Sequence, residues 1–260
     1  MYITLNEVNI YYEQFGAGEQ HVLLLHGWGC TTDHFNHIKE ELAKTMHVTV
    51  IDFPAHGKSS EPPVAWGVPE FAQMTKQLIE TLALPPVDIV AHSFGARVAI
   101  YLSATNPSLV NRLVLTGAAG IKKPVSKEQS KKSQAFQRKK LLLETAKKVP
   151  LLSGIADKLQ ASLRKKYGSA DYNALSREMQ KTFVKIVSQD LSEYLPCIPC
   201  STLLVFGEND QDTPLWMGQK MEKEIPDAGL VIFENDDHFA YLRQWQRFTV
   251  IVTSFFQTSK

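Results

Sequence analysis

The residues most able to do chemistry in this chain are a serine, an acid and a histidine, each placed where an apolar run gives way to a loop. Val87 to Gly95 reads Val-Asp-Ile-Val-Ala-His-Ser-Phe-Gly, a run broken at Ser93, with the small residues Ala91 and Gly95 two positions to either side. Small residues are needed where a strand turns sharply into a helix, because the two backbones pass close together. The apex residue then holds its hydroxyl exposed above the sheet in strained geometry. The run Thr202 to Phe206 ends in Gly207-Glu208-Asn209-Asp210-Gln211-Asp212-Thr213-Pro214. An acid here can accept a hydrogen bond from a histidine ring, which fixes the tautomer whose other nitrogen takes the serine proton. Asp210 and Asp212 both qualify chemically. Asp212 or Thr213, immediately before Pro214, suits the N-cap of a helix opened by that proline, which leaves Asp210 for the histidine. After Leu230 to Phe233 comes Glu234-Asn235-Asp236-Asp237-His238-Phe239, and His238 is the sole histidine of the last hundred residues. A fourth feature, His26-Gly27-Trp28-Gly29, follows the run Val22 to Leu25. Its glycines let the backbone turn and free amide hydrogens to receive an oxyanion, with the N–H groups of Trp28 and Phe94 as the expected donors.

The elements that must position these residues alternate along the chain. Strands are expected at Tyr2 to Leu5, Asn9 to Gln14, Val22 to Leu25, Val48 to Asp52, Val87 to Val90, Leu113 to Thr116, Thr202 to Phe206 and Leu230 to Phe233. Helices are expected at His37 to Thr45, Phe71 to Leu82, Ala96 to Thr105, Leu215 to Glu224 and Tyr241 to Phe256. Such alternation implies a mostly parallel sheet with helices on both faces and ligands at the carboxyl ends of the strands. The stretch from about Ile121 to Leu195 interrupts it with helix-like, strand-poor sequence, read as a helical cap inserted between two strands over those carboxyl ends.

A chain of 260 residues with 44% hydrophobic and 21% charged residues fits one compact domain with an insertion. No apolar stretch is long enough to span a bilayer, and the start Met1-Tyr2-Ile3-Thr4-Leu5-Asn6-Glu7 lacks the basic and apolar regions of a signal peptide, so a cytoplasmic protein is expected. An odd count of three cysteines makes no disulfide framework, and Cys197-x-x-Cys200 has no second ligand pair, which points to structural thiols. Between Ile121 and Pro196 there are 17 Lys and Arg against 7 Asp and Glu, a net of +10, while the rest carries −9 and the whole +1. This basic block reads more readily as solvated helix faces than as an anion-attracting surface. His34 and His37, the one close histidine pair, lack further ligands and read as helix surface, so no metal is expected.

The order Ser93, Asp210, His238 separates this arrangement from the chymotrypsin-like and subtilisin-like orders. With His26-Gly27-Trp28-Gly29, Asp52-Phe53-Pro54-Ala55-His56-Gly57-Lys58-Ser59 and Ala91-His92-Ser93-Phe94-Gly95, the chain resembles the α/β-hydrolase family over essentially its whole length. It departs from the family pattern at Ala91 and Ala55, where glycine is usual, and at Asn235 and Asp237, where glycines are frequent. Asn235 tolerates left-handed geometry, and Asp237 adds a carboxylate beside His238. The resemblance implies an α/β-hydrolase fold: a core of residues 1–120 and 196–260, and a helical cap over 121–195. It implies a serine hydrolase acting through Ser93, His238 and Asp210 with no cofactor and no nucleic-acid partner. Trp28, Phe94 and Phe239 beside the reacting atoms, with Phe136, Leu141, Leu142 and Phe183 of the cap, suit an apolar acyl or aryl group. Carboxylic esters of small or medium size are therefore the first expectation. Carbon–carbon bond hydrolysis of a vinylogous diketone acid is the second, left open by the basic cap and Arg97. A non-catalytic ligand-binding or scaffold protein on the same fold is the third.

Overall fold

The structure, a computed structural model, describes residues 1–123 and 174–257. One eight-stranded sheet is built from β1 (Tyr2–Leu5), β2 (Val8–Phe15), β3 (His21–Leu25), β4 (His47–Ile51), β5 (Val87–His92), β6 (Val110–Thr116), β7 (Thr202–Gly207) and β8 (Ala228–Phe233), in the spatial order β1-β2-β4-β3-β5-β6-β7-β8. The β1–β2 and β2–β4 pairs are antiparallel and the other five are parallel. Strand β5 is buried along all six residues, because helices cover both faces of the central strands.

The described helices are α1 (Asn36–Leu42), α2 (Val68–Thr81), α3 (Phe94–Thr105), α4 (Arg177–Ser188), α5 (Leu215–Glu224), α6 (Ala240–Arg243) and α7 (Trp245–Gln257). Residues of α2, α3 and α5 belong to one buried apolar cluster, and residues of α1 and α7 to the cluster on the opposite face. The chain runs from β3 outward to β4 and then returns to the other side of β3 to form β5. That reversal opens a crevice at the carboxyl ends of β3 and β5, the place where an open α/β sheet binds ligands. The loop after β3 carries Gly27 and Trp28, and the residue after β5 is Ser93.

Several expected boundaries shift for identifiable reasons. Strand β5 runs on through His92 and α3 begins at Phe94 rather than Ala96, so Ser93 alone makes the turn. Helix α2 starts at Val68, its first turn fixed by a hydrogen bond from the Gly67 N–H to Glu70 Oε2 at 2.7 Å. The single helix expected over Tyr241 to Phe256 is broken at Gln244. There the Arg243 and Gln244 side chains both donate to the Asp236 carboxylate, at 2.6 and 2.9 Å, holding this part of the chain against the His238 loop.

The chain divides into two compact units, Met1–Ile121 with Thr182–Lys260, and Lys122–Lys181. The insertion expected over 121–195 thus ends earlier in this division, because Ile186, Leu191 and Leu195 are buried in the apolar cluster of the first unit. Most of the basic block, including Phe136, Leu141 and Leu142, lies outside the described residues. Among the described residues no helix is long and apolar enough to cross a membrane. Cys197 is exposed and Cys200 buried, with the Cys200 Sγ 3.3 Å from Ser103 Oγ.

Candidate active site

Ser93 sits at φ +50°, ψ −104°, left-handed geometry that costs a residue with a Cβ about 1–3 kcal/mol. The surroundings enforce it. The Ser93 N–H donates to the Thr116 carbonyl at 3.1 Å and its carbonyl accepts from the Ala119 N–H at 3.3 Å, so both sides of its peptide are tied to the end of β6 and the loop beyond. A Cβ at Gly95 would lie 2.3 Å from the Leu25 carbonyl oxygen, which is why only glycine serves there. Ala91, by contrast, is accommodated fully buried. Ala55 and Asn235 adopt φ of +64° and +58°.

From this turn the Ser93 Oγ lies 2.9 Å from His238 Nε2, and His238 Nδ1 lies 2.8 Å from Asp210 Oδ2. Asp210 is only 2% exposed, and its other oxygen accepts the backbone N–H groups of Asp212 and Thr213, each at 2.8 Å. Burial by itself would raise the Asp210 carboxyl. The hydrogen bond with His238 and those from the Thr213 amide and hydroxyl outweigh it and hold the acid ionised, below its ordinary range. An ionised acceptor at Nδ1 selects the Nδ1–H tautomer and leaves the Nε2 lone pair facing the serine.

Helix α5 is capped by Pro214, without a side-chain hydrogen bond. Neither Asp212 nor Thr213 therefore fills the capping role expected for it, and Pro214 precedes the helix instead of opening it. The acidic loop spends its polar groups on Asp210 instead. Thr213 Oγ1 donates to Asp210 Oδ2 at 2.7 Å and lies 3.2 Å from His238 Nδ1. Sequence reasoning missed this hydroxyl, although an aspartate whose side chain accepts amides two and three residues on is a recognisable turn signature. The exposed Asp212 joins Asp210 and His238 in the one group of possible metal-ligand atoms found among the described residues, all within 4.8 Å of each other. A cation shared by Asp210 and His238 would have to break the 2.8 Å hydrogen bond between them, so the set fits proton transfer better than metal binding.

The loop carrying His238 is held from several sides. Asp236 binds Arg243 and Gln244, and Asp237 pairs with Arg243 and accepts the Phe239 N–H at 3.0 Å, so its carboxylate already has a cation beside it. His92, 1% exposed, donates from Nε2 to the His238 carbonyl at 3.1 Å. Burial, and next the neighbouring His238, push its imidazole down to about 3, so this support is neutral at neutral pH. Gly117, at φ +48°, stands under the His238 ring, where a Cβ would come within 3.1 Å of Nδ1.

The loop after β3 is fixed by His26. Its Nε2 accepts the Phe53 N–H at 2.9 Å, which obliges Nδ1 to donate to the Gly27 carbonyl at 2.7 Å. Asp52 adds a second tie, accepting the Thr32 N–H at 2.7 Å and the Lys58 N–H at 2.8 Å. His34 belongs to a 3-10 turn, not to α1, and its Nδ1 accepts the Thr31 N–H at 3.1 Å; His37 is exposed and stacks on Trp245.

A cavity of about 370 Å³ opens over these groups, lined by Ser93, His238, Trp28, Phe94, Phe183 and Phe239 among others, all from the first compact unit. Trp28 meets Phe94 edge to face at 5.6 Å and Phe183 at 5.3 Å between ring centroids. Each expected substrate-binding residue that is described thus borders one cavity; Phe136 lies outside the described residues.

Residues 20–243, most of the chain, match the model of the alpha/beta hydrolase fold family, and the protein belongs to that family. A 2-hydroxy-6-oxononadienedioate/2-hydroxy-6-oxononatrienedioate hydrolase of Pseudomonas putida is 28% identical, over 96% of this chain and 92% of the relative. A pimeloyl-[acyl-carrier protein] methyl ester esterase of Neisseria meningitidis is 25% identical, over 90% of this chain and 92% of the relative. Among solved structures, an alpha/beta hydrolase from a Medee basin deep-sea metagenome superposes with a TM-score of 0.76 at 21% identity, covering 100% of this chain and 98% of the other. An esterase from Exiguobacterium antarcticum gives 0.74 at 22% identity, covering 99% of each. By family and relatives the chain is a hydrolase.

Proposed function

We propose that this protein hydrolyses carboxylic esters of small to medium acyl or aryl groups through an acyl-enzyme on Ser93. The observation that carries the reading is the unbroken line of hydrogen bonds from Ser93 Oγ through His238 to Asp210, at 2.9 and 2.8 Å, opening on the cavity. In the first half-reaction Ser93 Oγ attacks the ester carbonyl carbon as its proton passes to His238 Nε2. The resulting oxyanion rests on the amides of Trp28 and Phe94. His238 then gives the proton to the departing alkoxide, and water repeats the sequence to release the acid.

A fluorophosphonate probe followed by p-nitrophenyl esters of increasing acyl length tests this. Covalent label on the Ser93 peptide and steady turnover of the acetate and butyrate are expected, with rates falling for long chains because about 370 Å³ holds a short acyl group and a ring. An unlabelled Ser93 would remove the mechanism, and a burst of nitrophenol without turnover would favour a ligand-binding protein. Carbon–carbon hydrolysis is the second reading, supported by the likeness to the Pseudomonas putida enzyme. Faster turnover of a 2-hydroxy-6-oxo-dienoate than of any ester would put it first.

Within this reading Thr213 is a positioning residue for Asp210 and His238. Thr213→Val keeps the shape and removes one hydrogen bond to the ionised Asp210, which is expected to lower kcat about tenfold with little change in KM. Thr213→Ser should restore the rate, whereas a valine variant as fast as the parent would reduce the hydroxyl to a packing group.

A further inference from the structure

Arg97 is an unusual tenant of this cavity. It lies four residues after Ser93, in the first turn of α3. It is 8% exposed, yet it borders the same cavity as Ser93. Its Nη1 donates to the Gln189 carbonyl at 2.9 Å, just past the C-terminus of α4. That contact uses one of five N–H donors and meets a neutral acceptor at the negative end of a helix. Burial draws the guanidinium down to about 10, with the nearby Asp190 opposing. A cation kept in a largely apolar chamber is costly unless an anion balances it, and a guanidinium presents the flat fork that fits a carboxylate. Among the described residues the other charged side chain bordering the cavity is the exposed Asp212, on the loop after β7, which repels a carboxylate from its own side.

We infer that Arg97 binds a carboxylate of the substrate, so that the preferred ester is a half-ester of a short dicarboxylic acid such as succinate or glutarate, its free carboxylate held in the cavity that Ser93 also lines. This rests on Ser93 as the nucleophile of an ester hydrolase. The cavity limits the length: about 370 Å³ that must also hold the reacting ester group leaves room for a short acyl chain between Ser93 and Arg97. Binding energy from the charged end then orients the reacting carbonyl.

The test compares monoethyl succinate, whose acyl part is anionic, with ethyl butyrate, neutral and of the same length, following ethanol release. The parent is expected to favour the anionic ester. In Arg97→Met the ratio of the two kcat/KM values should fall roughly 100-fold, mainly through KM of the anionic ester, since charge-assisted hydrogen bonds are lost. Arg97→Lys should fall between, keeping charge without the fork. Free succinate should inhibit ethyl butyrate hydrolysis by the parent competitively, less so as salt rises. This measurement stands even where a variant fails to fold. A parent that prefers ethyl butyrate, an unchanged ratio in Arg97→Met, or succinate without effect on the parent would each overturn the proposal. Ethyl butyrate turnover that depends on Ser93 would leave the ester hydrolase reading intact in all three cases, and absence of turnover of either ester by the parent would overturn both.

Discussion

Replacing Ser93 by alanine is expected to lower ester turnover by roughly 10⁴-fold or more while leaving the fold in place. The size follows from what the hydroxyl does. Without Oγ no acyl-enzyme can form, and His238 Nε2, now 2.9 Å from a missing partner, can at best direct water at the carbonyl. The fold should persist because alanine keeps the Cβ that already tolerates φ +50°, and because the backbone ties of residue 93 to Thr116 and Ala119 are independent of the side chain. Steady-state rates with p-nitrophenyl butyrate and a thermal unfolding curve measure the two halves. An alanine variant with substantial activity and parental stability would place the nucleophile elsewhere.

The second large effect is expected at the acid. Asp210→Asn should cost roughly 10³- to 10⁴-fold in kcat, for a reason the loop makes specific. The oxygen at Oδ1 is held by two backbone amides, those of Asp212 and Thr213. An asparagine must therefore keep its oxygen there and turn its NH₂ toward His238. Facing a donor, Nδ1 has to become the lone pair, the ring proton moves to Nε2, and the base for Ser93 is lost. Asp212→Asn should change kcat less than about twofold, since its side chain is exposed and the group it lends to Asp210 is its backbone N–H. The reverse pattern of kinetic losses would transfer the acid's role from Asp210 to Asp212.

Much of the sheet, and the position on it of Ser93, Asp210 and His238, was legible in the chain. Buried parallel strands read as apolar runs, and Val22–Leu25, Ile89–Ala91 and Leu203–Phe206 are such runs, each in a strand that ends at a polar or glycine-bearing loop. Close backbone approach at Gly95 leaves a mark because only the smallest residue fits beside Leu25. Side-chain contacts leave none. Nothing in the spelling of Arg243 or Gln244 tells that both reach Asp236 beside the break in the last helix. A proline near a helix start resembles a first-turn proline whether or not it serves as one, which is why the capping role assigned to Asp212 or Thr213 failed and the Thr213 hydroxyl went unseen. His92 reads as one more residue before the serine, and only its burial against the His238 carbonyl makes it a support.

By itself the sequence determined the order of elements, the sharp turn at Ser93 and the three strand ends from which Ser93, Asp210 and His238 project, because periodicity, residue size and chain order are local properties. Tertiary structure decided the rest: which carboxylate faces the imidazole, which hydroxyl steadies it, and that Arg97 shares a chamber with Ser93. Those outcomes depend on how separate loops pack above the strand ends, such as the two that bring Asp210 and His238 together from 28 residues apart.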